Sequence, residues 1–145
     1  DRAPFKDRPM PSPLPPGFSA PIPTRSKLFG WLLVLAGCFF AYVYMATPGA
    51  FFPGVTVETF AEKFGLWSTG VHILGSVLGI LVALLLDSAA LLALMLLTRI
   101  FIELGDVVVG LVLNSGPDTN TFTLTALAAV ELYMCLFLIA RIRNG

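Results

Sequence analysis

Several ionisable side chains fall inside otherwise apolar stretches of this sequence: His72, Arg99, Glu103, Asp106 and Glu131. Hydrocarbon penalises such groups, and chains that keep them use them to pair, to bind or to conduct. Arg99, Glu103 and Asp106 stand at i, i+4 and i+7, which at about 100° per residue confines them to a sector of roughly 60° on one helix face. Turned toward lipid, that stripe would cost about 2.5–3.5 kcal/mol per charge, so it must face protein or a wet cavity. Depths count at about 1.5 Å per residue from the membrane side opposite the termini: about 9 Å for His72, about 10 Å for Asp106, about 15 Å for Glu103, about 16 Å for Glu131 and about 21 Å for Arg99. These levels are compatible with one cluster. Arg99 can offset one carboxylate through its i, i+4 pair with Glu103, but three ionised acids would leave uncompensated charge in low dielectric. At least one of Glu103, Asp106 and Glu131 is therefore expected to hold a proton, or His72 to be charged. The chemistry open to such a cluster is a proton relay, an ion site or a polar ligand pocket. The same residues can also serve purely as an interhelical hydrogen-bond network that fixes packing. Catalysis is the weaker reading, because no nucleophile with an oriented base can be identified.

His72 is the only histidine in the chain, with Ser68, Gly75, Ser76 and Gly79 on nearby faces of the same helix. Gly75 and Gly79 form a GxxxG pattern that lets a second helix approach closely. That small-residue surface could also accept a flat tetrapyrrole with His72 as axial ligand, although a bis-histidine haem site would need a second histidine. Hydrogen bonding or packing is the simpler role for His72, and no cofactor is otherwise predicted. No metal site is expected, since paired His or Cys at metal spacing is lacking. Cys38 and Cys135 lie inside apolar runs and read as small core residues. Trp31 and Trp67 sit near span ends, as interfacial anchors do.

The elements that must position these residues follow from composition. Of 145 residues, 57% are hydrophobic and 12% charged, with nine basic and nine acidic side chains that cancel. Soluble domains carry about twice that charged fraction. A disordered chain would be more polar, and a pI near 6.8 offers phosphate no general attraction, so nucleic acid is not an expected partner. The sequence predicts an all-α fold: a four-helix transmembrane bundle with spans over about 28–47, 66–86, 89–113 and 121–140. Asp87-Ser88 forms a tight turn, and 114–118 the last loop. A short amphipathic helix over about 56–65 is expected to lie on the membrane surface, with Thr59 and Glu62 as a capping box. Ahead of the membrane domain (27–145), residues 1–26 form an extended, proline-rich arm, because eight of the eleven prolines occur in the first 23 residues. Such an arm cannot bury itself and needs something else to hold it. The start at Asp1 reads as a processed or truncated end, and mildly favours an imported and trimmed chain. Basic residues (Arg2, Lys6, Arg8, Arg25, Lys27, Arg141 and Arg143) gather on the side of the termini, against Lys63 on the other. Both termini are thus expected on the cytoplasmic, matrix or stromal side of a bacterial or organelle inner membrane.

Gly70, Gly75 and Gly79 in the second helix, Arg99 followed by Gly105, Asp106 and Gly110 in the third, and Glu131 with terminal basic residues in the fourth make residues 27–143 resemble the DoxX-like small four-helix membrane proteins. The resemblance implies the four-helix fold more than any activity, and the arm lies outside it. Two functions follow as expectations. One is a non-catalytic accessory subunit of a larger, energy-transducing membrane complex (respiratory or photosynthetic), its arm and glycine-rich helix face meeting neighbouring subunits. The other is a stand-alone DoxX-like membrane enzyme, redox protein or proton-coupled carrier using the His/Asp/Glu cluster.

Overall fold

The computed structural model describes residue 18 and residues 20–47, 59–113 and 119–144. Within them the fold is all helical: α1 (Thr24–Ala46), α2 (Phe60–Leu85), α3 (Ala89–Leu113) and α4 (Thr119–Asn144). Most of the proline arm, the connection over 48–58 and the loop over 114–118 lie outside the described residues. Sequence neighbours pack antiparallel, α1 on α2 and α3 on α4, and α2 against α3 joins the two pairs. Near the termini, α1 also meets α4, where the Ser26 hydroxyl donates to Met134 Sδ at 3.2 Å and the Arg25 guanidinium lies 5.8 Å from the Phe137 ring centre.

Three helical stretches, Thr24–Ala46, Glu62–Leu85 and Thr121–Arg143, are long and apolar enough to cross a membrane. Together they point to an integral membrane protein. α3 is as long, but Arg99, Glu103 and Asp106 put three charges into one span length. The outward faces carry large apolar side chains, among them Leu28, Leu35, Phe101, Val112 and Leu136, all more than half exposed, as helices in contact with lipid tails do. Inside, Ile80, Leu92, Leu96 and Leu138 are fully buried.

Helix bounds follow local chemistry. Thr59 Oγ1 accepts the Glu62 N–H at 3.2 Å and Glu62 Oε2 accepts the Thr59 N–H at 2.9 Å, a reciprocal capping box that starts α2. Of the surface helix expected over about 56–65, residues 56–58 lie outside the described residues, and Phe60 to Gly65 form the first turns of α2, which runs on without a break. α1 begins at Thr24, so the last residues assigned to the arm, 24–26, are helical.

The end of the arm is held by the chain's own α2–α3 turn. Asp87 adopts φ 50°, a left-handed conformation that Asp tolerates better than most residues. In that conformation Ser88 N–H reaches Ala83 C=O and Asp87 N–H reaches Leu84 C=O, closing α2 with a Schellman pattern. Ser88 then caps α3, its hydroxyl accepting from Leu91 N–H at 3.3 Å and donating to Phe18 C=O at 2.7 Å. Ala89 N–H donates to Ala20 C=O at 2.9 Å. Asp87 Oδ1 accepts both the Ile22 N–H and the Lys27 ammonium, each at 3.0 Å, while the Ile22 side chain is buried.

This clasp titrates. The Lys27 ammonium, and after it the Ile22 N–H, hold the Asp87 carboxyl below the usual carboxylate range. A carboxyl whose folded value is depressed stabilises fully above its unfolded value of about 3.9 and loses that stabilisation as pH falls through the lowered one. Hydrogen exchange at the Ile22 amide should therefore stay protected at neutral pH and lose protection in acid. In Asp87→Asn it should be weaker at neutral pH and show no such acid step. Equal acid sensitivity in both proteins would show that another group controls the clasp.

Candidate functional site

The polar residues inside the helices meet around Arg99. Its position on α3 lies beside the fully buried Leu92 and Leu96 stripe, on the flank that faces α2, so its side chain can reach both neighbouring helices. Arg99 Nε donates to Glu131 Oε1 of α4 at 2.8 Å, Nη1 to Ser76 Oγ of α2 at 2.9 Å and Nη2 to Glu103 Oε1 of α3 at 2.8 Å. One guanidinium thus fastens three helices. Glu131 is fully buried and Glu103 nearly so. The Ser76 hydroxyl that accepts from Arg99 donates in turn to the Ile73 carbonyl at 3.1 Å, so it is used in both directions. A planar fork with several fixed donors suits this task better than an ammonium would.

The second oxygens remain. Glu103 Oε2 and Glu131 Oε2 are buried with no hydrogen-bond partner among the described residues, while the two Oε1 atoms share the Arg99 guanidinium. Toward the termini the network is closed by apolar side chains of α2, α3 and α4: Ile80, Leu92, Leu96, Cys135 and Leu138 are at most 2% exposed. Cys135 adds a weak bond from its thiol to the Ala93 carbonyl, which anchors α4 on α3 without chemical reactivity of its own.

The structure does not bring all five intramembrane ionisable residues together. Arg99, Glu103 and Glu131 touch, while Asp106 and His72 are exposed and make no bond to them. Asp106 lies one turn beyond Glu103 toward the far end of α3, in electrostatic reach of Tyr44 on α1. His72 lies one turn beyond Ser76 on α2. A ligand clamped by His72 would need a second wall, and none of the described contacts supplies it. No group of three or more potential metal ligands occurs among the described residues.

The glycine pattern divides similarly. A Cβ at Gly79 would meet Met95 Sδ at 2.2 Å, so this glycine lets α3 approach α2, whereas a Cβ at Gly75 would meet nothing within 4 Å. Gly75 takes no part in packing among the described helices: it lies on the exposed side of α2, about 40° around from Gly79. The close approach of α1 to α2 uses Gly70, where a Cβ would meet Met45 Cγ at 2.5 Å, together with two α1 glycines that were not expected to matter. A Cβ at Gly37 would meet Val77 Cγ2 at 2.3 Å, and one at Gly30 would meet Leu84 Cδ2 at 3.0 Å. Their spacing of seven residues on one helix face is the signal that could have found them. Ser76 was visible as a small neighbour of His72, but not as a partner of Arg99.

No family model matches this chain, and comparison with curated proteins and with solved structures gives no significant match.

Proposed function

We propose that this chain is a four-span, non-catalytic accessory subunit of a larger energy-transducing membrane complex, with both termini on the cytoplasmic, matrix or stromal side. The observation that carries this reading is the way Arg99 is spent. Its guanidinium is engaged by Ser76, Glu103 and Glu131 on three helices, which is how a bundle fixes its packing, and no nucleophile–base pair accompanies it among the described residues. The same inward pairing lets α3 act as the fourth span, because the charges that make it too polar alone are mostly offset inside the bundle. At 25 residues it is long enough, since about 20 cross the hydrocarbon core. Outward faces rich in exposed apolar side chains can meet lipid or neighbouring subunits, and the proline-rich segment ahead of Phe18 supplies a polar-side contact.

Purification in mild detergent followed by native mass spectrometry tests this. Stoichiometric partners are expected, retained in His72→Ala and Asp106→Asn and lost when residues 1–17 are removed. Recovery of the chain alone, or unchanged association without residues 1–17, would sink the subunit reading. One observation favours a second reading, a DoxX-like protein acting through its polar cluster as a redox protein, enzyme or proton-coupled carrier: the unpartnered Oε2 atoms of Glu103 and Glu131.

A further inference from the structure

Glu103 and Glu131 share a single guanidinium, each accepting from Arg99 through Oε1 at 2.8 Å. Arg99 is the only arginine or lysine within reach of the pair among the described residues, and His72 is exposed and makes no bond to it. Arg25 and Lys27 lie in the first turn of α1, Lys63 in the first turn of α2, and Arg141 and Arg143 in the last turn of α4. With both glutamates ionised, one uncompensated negative charge would remain in a low-dielectric interior, on two buried acceptor oxygens that no protein donor reaches among the described residues. A single positive unit charge at the Oε2 atoms removes both penalties. A proton fits, because it needs a single oxygen to carry it, whereas a hard metal cation takes six or more oxygen ligands and only two are free here.

We propose that Glu103 and Glu131 form a binding site for one exchangeable proton, carried on one of their free Oε2 atoms, which makes the Arg99 network neutral and exchanges with solvent from the Asp106 side. The direction follows from the surroundings. Toward the termini the site is sealed by Ile80, Leu92, Leu96, Cys135 and Leu138. Toward the other membrane face lie Asp106 and His72, both exposed, and Gly105, whose added Cβ would meet nothing within 4 Å. α1 brings Tyr44 to that end, in electrostatic reach of Asp106. Asp106, one turn beyond Glu103 on the same helix, is the carboxyl that stands between the buried pair and that exposed end. This inference does not depend on the subunit reading: a neutral network fastens three helices equally well in a free protein.

Infrared spectroscopy of the full chain in lipid nanodiscs, in potassium chloride at neutral pH, tests it. The expected result is the carbonyl stretch of one protonated carboxyl that shifts in D2O. Glu103→Gln should remove that band completely, and so should Glu131→Gln, because the one remaining carboxylate then pairs with Arg99 alone. Asp106→Asn should keep the band and slow its deuterium shift about tenfold or more. A chain with no protonated carboxyl would overturn the proposal, and this readout needs no variant to fold. So would a band that survives both glutamine substitutions. Loss of the band when sodium replaces potassium at fixed pH would assign the charge to a metal ion instead. Unchanged exchange in Asp106→Asn would overturn the route.

Discussion

Replacing Arg99 by Met lowers the stability of the bundle by about 3 kcal/mol or more, the cost of breaking a buried ion pair by removing one partner. The loss has a specific cause. Glu103 and Glu131 give up their only donors, Ser76 loses its partner across the α2–α3 contact, and two adjacent carboxyls remain in an apolar interior. Protonation of both can limit the damage but cannot restore the link between helices. A triple variant, Arg99→Met with Glu103→Gln and Glu131→Gln, should recover a large part of the loss, because it leaves no charge to compensate. Reversible unfolding in detergent with helical circular dichroism as readout measures both. A single variant as stable as the parent would show that the network contributes nothing to packing. A triple variant worse than the single one would show that the two carboxyls do more than answer Arg99.

Gly37→Ala is expected to be almost as damaging as a change at the charged network, although it adds one carbon. The new Cβ would stand 2.3 Å from Val77 Cγ2. Val77 is β-branched, 5% exposed and restricted in χ1, so it has no empty rotamer into which to retreat. α1 and α2 must separate, at a cost of about 1–3 kcal/mol. The same substitution at Gly79 meets the flexible end of Met95, which can move, and should cost less. At Gly75 it meets nothing and should be neutral or slightly stabilising, since Ala is about 1 kcal/mol better than Gly inside a helix. Unfolding midpoints of the three variants should thus rank Gly37→Ala lowest and Gly75→Ala highest. Any other order would contradict the helix packing described here.

The all-helical architecture and the membrane-capable helices were legible because run length and turn chemistry are local properties. An uncharged stretch of 20 residues has one economical conformation in hydrocarbon, and Asp87-Ser88 with its capping chemistry marks a break whatever surrounds it. The stripe of Arg99 and Glu103 was legible for the same reason, being a matter of helical period. Arg99 with Glu131 was reachable through depth along the bundle, and the long arginine side chain closes the remaining offset of about 5 Å. Depth left His72 and Asp106 undetermined. It states how far along a helix a residue lies, not how far the neighbouring helix leans away at that level, and both residues stand where the described helices leave them exposed. Gly75 and Gly79 show the matching limit for packing motifs. Four residues apart in an ideal helix means about 40° of rotation, enough to separate a contact from open space at the edge of an interface. The docking of Phe18 to Ile22 on the α2–α3 turn was not legible at all, since its backbone groups carry no side-chain signature.

That docking also fixes a pivot. Because Ser88 holds the Phe18 carbonyl and Asp87 holds the Ile22 amide, the chain ahead of residue 18 is tethered beside the tip of the α2–α3 hairpin and not at the start of α1. The α2–α3 turn and the lead into α1 are therefore one mechanical unit, and a change that loosens the turn also loosens the entry to the first helix.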